Sequence, residues 1–202
     1  MLKMILPAAA LAFAASAQAH EHGADHSGHS MAKPDKVVPA TTGADVENPF
    51  HPIRLLLSNA ETEGQVTIYE FLLPPQSPGS PPHTHSLEDE YFYVLSGTLD
   101  VLSGGETKRL QPGDFAALTR GNAHMFWNGS DGHTELLMMT TGNSFEAFME
   151  GVSPALAEAQ PGSPEEAGAV IGQLAAEHGI MISMEMMPEA AAPLYAPPPP
   201  AE

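Results

Sequence analysis

Cysteine is absent from this 202-residue chain, which excludes disulfides, thiolate metal sites and cysteine nucleophiles. Imidazole and carboxylate must do any metal work. Basic residues are scarce, 7 Lys and Arg against 25 Asp and Glu, and a formal charge of -18 repels phosphate backbones and anionic lipid surfaces. No nucleic acid and no membrane are therefore expected as partners. Beyond a short N-terminal run, no stretch approaches the roughly 18 to 20 apolar residues that a spanning helix needs. A hydrophobic fraction of 43% nonetheless suffices for the core of one folded domain.

The N-terminus reads as an export signal. Met1 to Pro7 carries one positive charge, the apolar run continues through Ala15, and Ala17-Gln18-Ala19 has the small-x-small form of a signal-peptidase site. Residues 1–19 are thus expected to be a signal peptide, and the mature protein to be periplasmic or secreted, beginning at His20. His20, His22, His26 and His29 follow in a segment without hydrophobic period, part of an expected disordered segment and linker over residues 20–45. With cleavage after Ala19, the new amine, two amide nitrogens and the His22 imidazole could form a square-planar site for Cu(II) or Ni(II). A solvated linker explains the same composition, and both readings stand.

The densest chemistry lies in Pro81-Pro-His-Thr-His-Ser-Leu-Glu-Asp-Glu-Tyr-Phe-Tyr-Val-Leu-Ser-Gly97. His83 and His85 are two apart, so on an extended strand both rings point to one face and can converge on one ion. Glu90 opens a run of aromatic and β-branched residues that reads as the next strand. His124 stands in Gly121-Asn-Ala-His-Met-Phe-Trp-Asn128, where a glycine turn precedes another strand. Three imidazoles and a carboxylate suit one divalent transition metal: Fe, Mn, Ni, Co, Cu or Zn.

These residues resemble the two signatures of the cupin superfamily, Gly-x5-His-x-His-x3–4-Glu-x6-Gly and Gly-x5-Pro-x-Gly-x2-His-x3-Asn. His83, His85, Glu90 and Gly97 match the first, and Gly113, Gly121, His124 and Asn128 the second. Ser77 replaces the first glycine, with Gly79 close by, and Thr119 replaces the proline. Both departures lie at turns and leave the ligand positions intact. The resemblance implies an all-β fold, a cupin jelly-roll β-barrel over residues 46–150 with a C-terminal α-helix. Within that superfamily the chain is similar to small single-domain proteins of the quercetin 2,3-dioxygenase kind. This implies an oxygenase acting on a small-molecule substrate that is enolisable or aromatic, with Glu90 as ligand and proton acceptor, and a homodimer as the assembly. A non-catalytic periplasmic cupin that binds a metal or small ligand uses the same barrel and is the alternative; a metal-dependent isomerase or lyase stays open.

Strands are expected at residues 53–58, 65–73, 83–85, 90–96, 98–102, 106–110, 115–118, 124–128 and 134–140. Counting in twos from the ligands places Phe92 and Val94 beside Glu90, and Phe126 and Asn128 beside His124, as the substrate pocket. Thr67, Tyr69 and Phe71, or else Val66, Ile68 and Glu70, form a further wall. Tyr93 and Trp127 have the opposite parity and are expected to pack elsewhere. Residues 151–202 read as one helix and a Met/Pro-rich tail. Ser163 is its cap, Pro164 its first residue, and Gly179 its end. Met181, Met184 and their neighbours read as apolar packing on the barrel, with a Cu(I) thioether site as the other reading. Pro197 to Pro200 are expected to be extended.

Overall fold

The computed structural model describes residues 33–40, 42–48 and 51–196. The expected signal peptide, the tail histidines His20, His22, His26 and His29, and Pro197 to Pro200 lie outside the described residues. β1 (Ala44–Val46) and β2 (Ile53–Leu57) lead into β3 (Val66–Leu73), β4 (Ser77–His85), β5 (Glu90–Ser96) and β6 (Leu99–Ser103). β7 (Glu106–Leu110), β8 (Phe115–Leu118), β9 (His124–Asn128) and β10 (Thr134–Thr141) follow. The chain then forms α1 (Ser144–Ala159), α2 (Pro164–Glu177) and β11 (Ile180–Ile182). Two antiparallel sheets result, ordered β1-β2-β3-β10-β5-β8 and β11-β4-β9-β6-β7. The fold is an all-β jelly roll with a helical C-terminal segment.

Alternation decides which side chains enter the space between the sheets. On β5, Glu90, Phe92 and Val94 are buried while Tyr93 and Leu95 face out. On β3 the open choice resolves to Thr67, Tyr69 and Phe71 inside. Strand β9 is buried at all five positions because both of its faces are covered. Phe126 joins the barrel core, whereas Met125 and Trp127 pack on the other side with Ala191, Met187, Leu194 and Tyr195. The packing after α2 is therefore made by Ile180 and Ile182 of β11 against the barrel core, and by Met187 and the residues after it against Met125 and Trp127. Met181, Met184 and Met186 are exposed, contrary to the expectation that Met181 and Met184 would pack on the barrel.

β4 begins at Ser77, where a turn through Pro82 was expected. Proline lacks an N–H for the ladder, but this strand is bulged twice against β9, and β11 covers its other edge only at residues 83–85. Gly97 after β5 has φ +71°, and a Cβ there would lie 2.2 Å from the His133 carbonyl. That close approach explains why the first signature ends in glycine.

The expected single helix is α2, capped by Ser163 and opened by Pro164. Helix α1 was not expected, since Gly151 and Pro154 disfavour a helix. It spans the boundary drawn at residue 150. Docking outweighs propensity here: Phe145, Met149 and Val152 are buried, with Phe145 and Met149 in the barrel core. Glu146 fastens the same turn. Its carboxylate accepts hydrogen bonds from Ser58 Oγ, Asn59 N, Asn59 Nδ2 and Thr67 Oγ1.

Glu146→Ala leaves those donors without their acceptor and should cost roughly 2 to 3 kcal/mol in urea unfolding; an unchanged midpoint would show that the apolar face of α1 docks it alone.

His51 yields a pH-dependent expectation. It is 6% exposed, its Nδ1 has no hydrogen-bond partner, and burial lowers its pKa from 6.5 to about 4. The unfolded chain thus takes up a proton near pH 6.5 that the fold refuses until about pH 4. The stability contributed by neutral His51 is present above the higher value and lost as pH falls to the lower one. At 1.36 kcal/mol per pKa unit the loss is about 3 kcal/mol. Urea unfolding between about pH 7 and about pH 4 should show that loss in the wild type and a shallower fall in His51→Phe; parallel slopes would contradict it.

Candidate metal centre

β4 and β9 carry the three histidines, and β5 carries the carboxylate. His83 pairs directly with His124 across the ladder, and His85 lies one pleat further along β4 on the same inner face. Glu90 enters from the opposite sheet. The ligand atoms of His83, His85, Glu90 and His124 all lie within 4.8 Å of one another. Every one of these side chains is buried, His83 being the most accessible at 5%.

The orientation of each ring identifies which nitrogen is free. His83 Nδ1 is 2.8 Å from the Pro81 carbonyl, and His124 Nδ1 is 2.9 Å from the Asn122 carbonyl. A carbonyl only accepts, so both rings carry their proton on Nδ1 and offer a lone pair at Nε2. His83 Nε2 sits 2.9 Å from His85 Nε2, and His124 Nε2 sits 3.0 Å from Glu90 Oε2. Lone pairs and a carboxylate oxygen thus crowd into one small volume. A cation relieves that crowding, and a site of N and O donors without sulfur fits the divalent transition metals named from the sequence.

The titration behaviour of the metal-free groups follows from the same crowding. Burial, reinforced by the His124 ring beside it, lowers the His83 pKa to about 3. Burial also opposes charge on Glu90 and His124, but the hydrogen bond between them prevails. It holds Glu90 below the usual carboxylate range and His124 above the usual imidazole value. The 3.0 Å contact between His124 Nε2 and Glu90 Oε2 lies where a cation would sit.

The expected pocket residues divide. Phe92, Val94 and Phe126 lie in the core, with the Phe92 and Phe126 rings 4.8 Å apart and edge to face. Asn128 is buried as well, and its amide is engaged by the backbone around it. Its Nδ2 donates to the carbonyls of Leu73, Pro74 and Gly132, and its Oδ1 accepts from Ser130 N and Oγ. With both ends of the amide engaged, it ties loops together.

Three neighbours of the centre were missed from sequence. Phe145 of α1 stands 5.8 Å from the His85 ring, edge to face. It was hidden because α1 itself was. Thr140 lies directly across from Glu90 on β10, buried, with a hydroxyl that has no hydrogen-bond partner. Strand parity could have found it. Glu88 is 1% exposed and faces His85 Nδ1 at 3.6 Å. In a run of three acids, sequence did not mark it out.

Fold and centre together define an all-β jelly roll whose interior could hold one metal ion. Residues 69–140 match the cupin domain family model, a span that contains all four candidate ligands. This match and the two-sheet fold support the cupin superfamily. No curated protein matches the chain in sequence. Among solved structures, a cupin-superfamily sugar phosphate isomerase from Silicibacter pomeroyi is 25% identical with a TM-score of 0.40, the match covering 46% of this chain and 60% of that one. The chain thus spans three fifths of that isomerase's length. The polyketide cyclase RemF of Streptomyces resistomycificus is also 25% identical, with a TM-score of 0.45, covering 53% of this chain and 79% of the other. KdgF from Halomonas sp. is 17% identical with a TM-score of 0.48, covering 56% and 99%. With TM-scores under 0.5, these likenesses carry no functional weight.

Metal analysis by mass spectrometry of the purified chain should find about one equivalent in the barrel. It should survive deletion of residues 20–30 and vanish in His83→Ala and His124→Ala; metal that followed the deleted tail would leave the barrel without its ion.

Proposed function

We propose that this chain is an exported cupin enzyme with one divalent transition metal, an oxygenase similar to quercetin 2,3-dioxygenases that acts on a small enolisable or aromatic substrate. The convergence of three imidazole Nε2 atoms and Glu90 in a water-excluded interior carries this reading. A bound metal supplies Lewis acidity that lowers the pKa of a coordinated oxygen. The chain's own residues do the rest. Phe145 stands against the His85 ring, and Phe92 and Phe126, two residues along their strands from Glu90 and His124, pack on each other, apolar faces that suit a flat ring. Glu90 is the acidic ligand and the group able to take the proton from a substrate hydroxyl. Thr140, across the ladder from it, has a spare hydroxyl for holding that oxygen in place.

Export rests on residues 1–19, and a periplasmic or secreted location belongs to this proposal. So does a homodimer, supported by Leu72, Tyr93, Leu95 and Phe115, which are exposed on the outward face of the six-stranded sheet. Among the described residues no helix is long and apolar enough to cross a membrane. The second reading, a non-catalytic metal- or small-ligand-binding cupin, is favoured by the burial of all four ligands, because a sealed ion is well placed for storage. The histidines at 20, 22, 26 and 29 also fit it, as a capture segment. Oxygen uptake separates the two readings.

The metal-loaded protein should consume oxygen with a flavonol or another enolisable compound. Glu90→Gln should lower turnover by roughly 100-fold or more if the carboxylate takes the substrate proton. A loaded wild type inert toward all such compounds would favour the binding protein, and a metal-bearing Glu90→Gln protein with full turnover would remove Glu90 from the proton transfer.

A further inference from the structure

The two histidines with fixed tautomers each rest Nδ1 on a backbone carbonyl, and the third does not. His85 Nδ1 has no hydrogen-bond partner; the group facing it, at 3.6 Å, is the carboxylate of Glu88. Neither Glu88 oxygen has a hydrogen-bond partner, although the residue is 1% exposed. A buried carboxylate left this way is costly, and folds seldom keep one without a use.

Its position is not an accident of a loose loop. On one side, Ser86 N and Oγ both donate to the Gly179 carbonyl at 2.9 Å. On the other, Asp89 exchanges hydrogen bonds with Thr141 at 3.0 and 3.1 Å and accepts from Arg120 N, Nε and Nη2. Gly121 N donates to the His85 carbonyl at 2.7 Å, closing the base of the loop. Gly179 has φ +74°, and a Cβ there would fall 2.6 Å from Ser86 Oγ, so glycine is what lets the chain after α2 press against this loop. Glu88 is thus held from both flanks with its carboxylate beside the one ligand ring that lacks a carbonyl.

We propose that Glu88 is a positioning residue of the metal centre. With an ion bound, the 3.6 Å separation closes so that Glu88 accepts the Nδ1–H of His85, turns that ring's Nε2 lone pair toward the ion, and makes it a more basic ligand than a carbonyl would. This rests on the metal-centre reading above. A carboxylate–histidine pair of this kind orients a ring and strengthens its bond to a metal, and loss of such a partner costs roughly 10- to 100-fold in metal affinity. Two buried carboxyl groups, Glu90 and Glu88, thus stand by the place of one divalent cation in an interior that tolerates little net charge.

The test is Co(II) binding to the full chain, measured by competition with a chelator and by the visible spectrum of the bound ion. The barrel component is defined as what His83→Ala lacks. Glu88→Gln keeps the size and a hydrogen-bond acceptor but not the charge, and should bind Co(II) roughly 10- to 100-fold more weakly with an altered spectrum. Its metal-free thermal unfolding should stay near that of the wild type, whereas a merely structural Glu88 would shift unfolding and leave affinity alone. Glu88→Gln affinity within about twofold of wild type would overturn the proposal. Wild-type binding no greater than that of His83→Ala would remove the centre itself, and Glu88's role with it. Should Glu88 variants fail to fold, heteronuclear NMR of the wild-type zinc form decides the matter: a His85 Nδ1–H shifted further downfield than those of His83 and His124, as a carboxylate acceptor requires, supports the proposal, and one level with theirs overturns it.

Discussion

Four electron-pair donors held within 4.8 Å of one another, all of them buried, are the constraint to which the rest of this molecule answers. Such a cluster is unfavourable without a positive charge at its centre. The sheets hold it together because the four residues are tied into ladders that also carry the core. His83 and His124 are cross-strand partners, and Glu90 shares β5 with Phe92 and Val94. A shift of register by one residue on any of these strands would turn a ligand outward and expose the apolar residues beside it. Core and centre therefore enforce the same register.

The surrounding polar groups make sense as supports for that cluster. Pro81 and Asn122 carbonyls set two ring tautomers, and the loop of residues 86–89 brings a carboxylate to the third. Asn128, at the end of the second signature, works at a distance by joining the β3–β4 turn to the β9–β10 loop. Helix α1 adds a cover on one side. Glu146 anchors it to Ser58, Asn59 and Thr67, and Phe145 beside that anchor meets the His85 ring. The same helix turn thus joins the stability of the fold to the dryness of the centre. Dryness matters because charge interactions inside a low-dielectric site are stronger than in water.

The strands were legible in the sequence where alternation and turn residues agreed. β5, β7, β8 and β9 lie where period and glycine placed them, since each is short and bounded by clear turns. β4 was legible only at its histidine end, because prolines hide a strand whose bulges and open edge accommodate them. Three-residue β1 and β11 carry too little pattern to be seen, and α1 contains residues that argue against a helix until its docking is known.

The sequence by itself determined the ligand set. His83 and His85 share a face because strand parity is a local property of the backbone, and Glu90 and His124 join them as candidates through their spacing in the two signatures. The inward placement of Phe92, Val94 and Phe126 follows from the same local rule. Tertiary structure alone decided the rest: which Nδ1 meets which acceptor, that Asn128 ties loops, that Thr140 stands across from Glu90, that Phe145 covers His85, and that Glu88 lies buried beside that ring. Those contacts join residues on different strands, loops and helices. No period along the chain encodes a distance between elements that meet only when the two sheets and α1 close on one another.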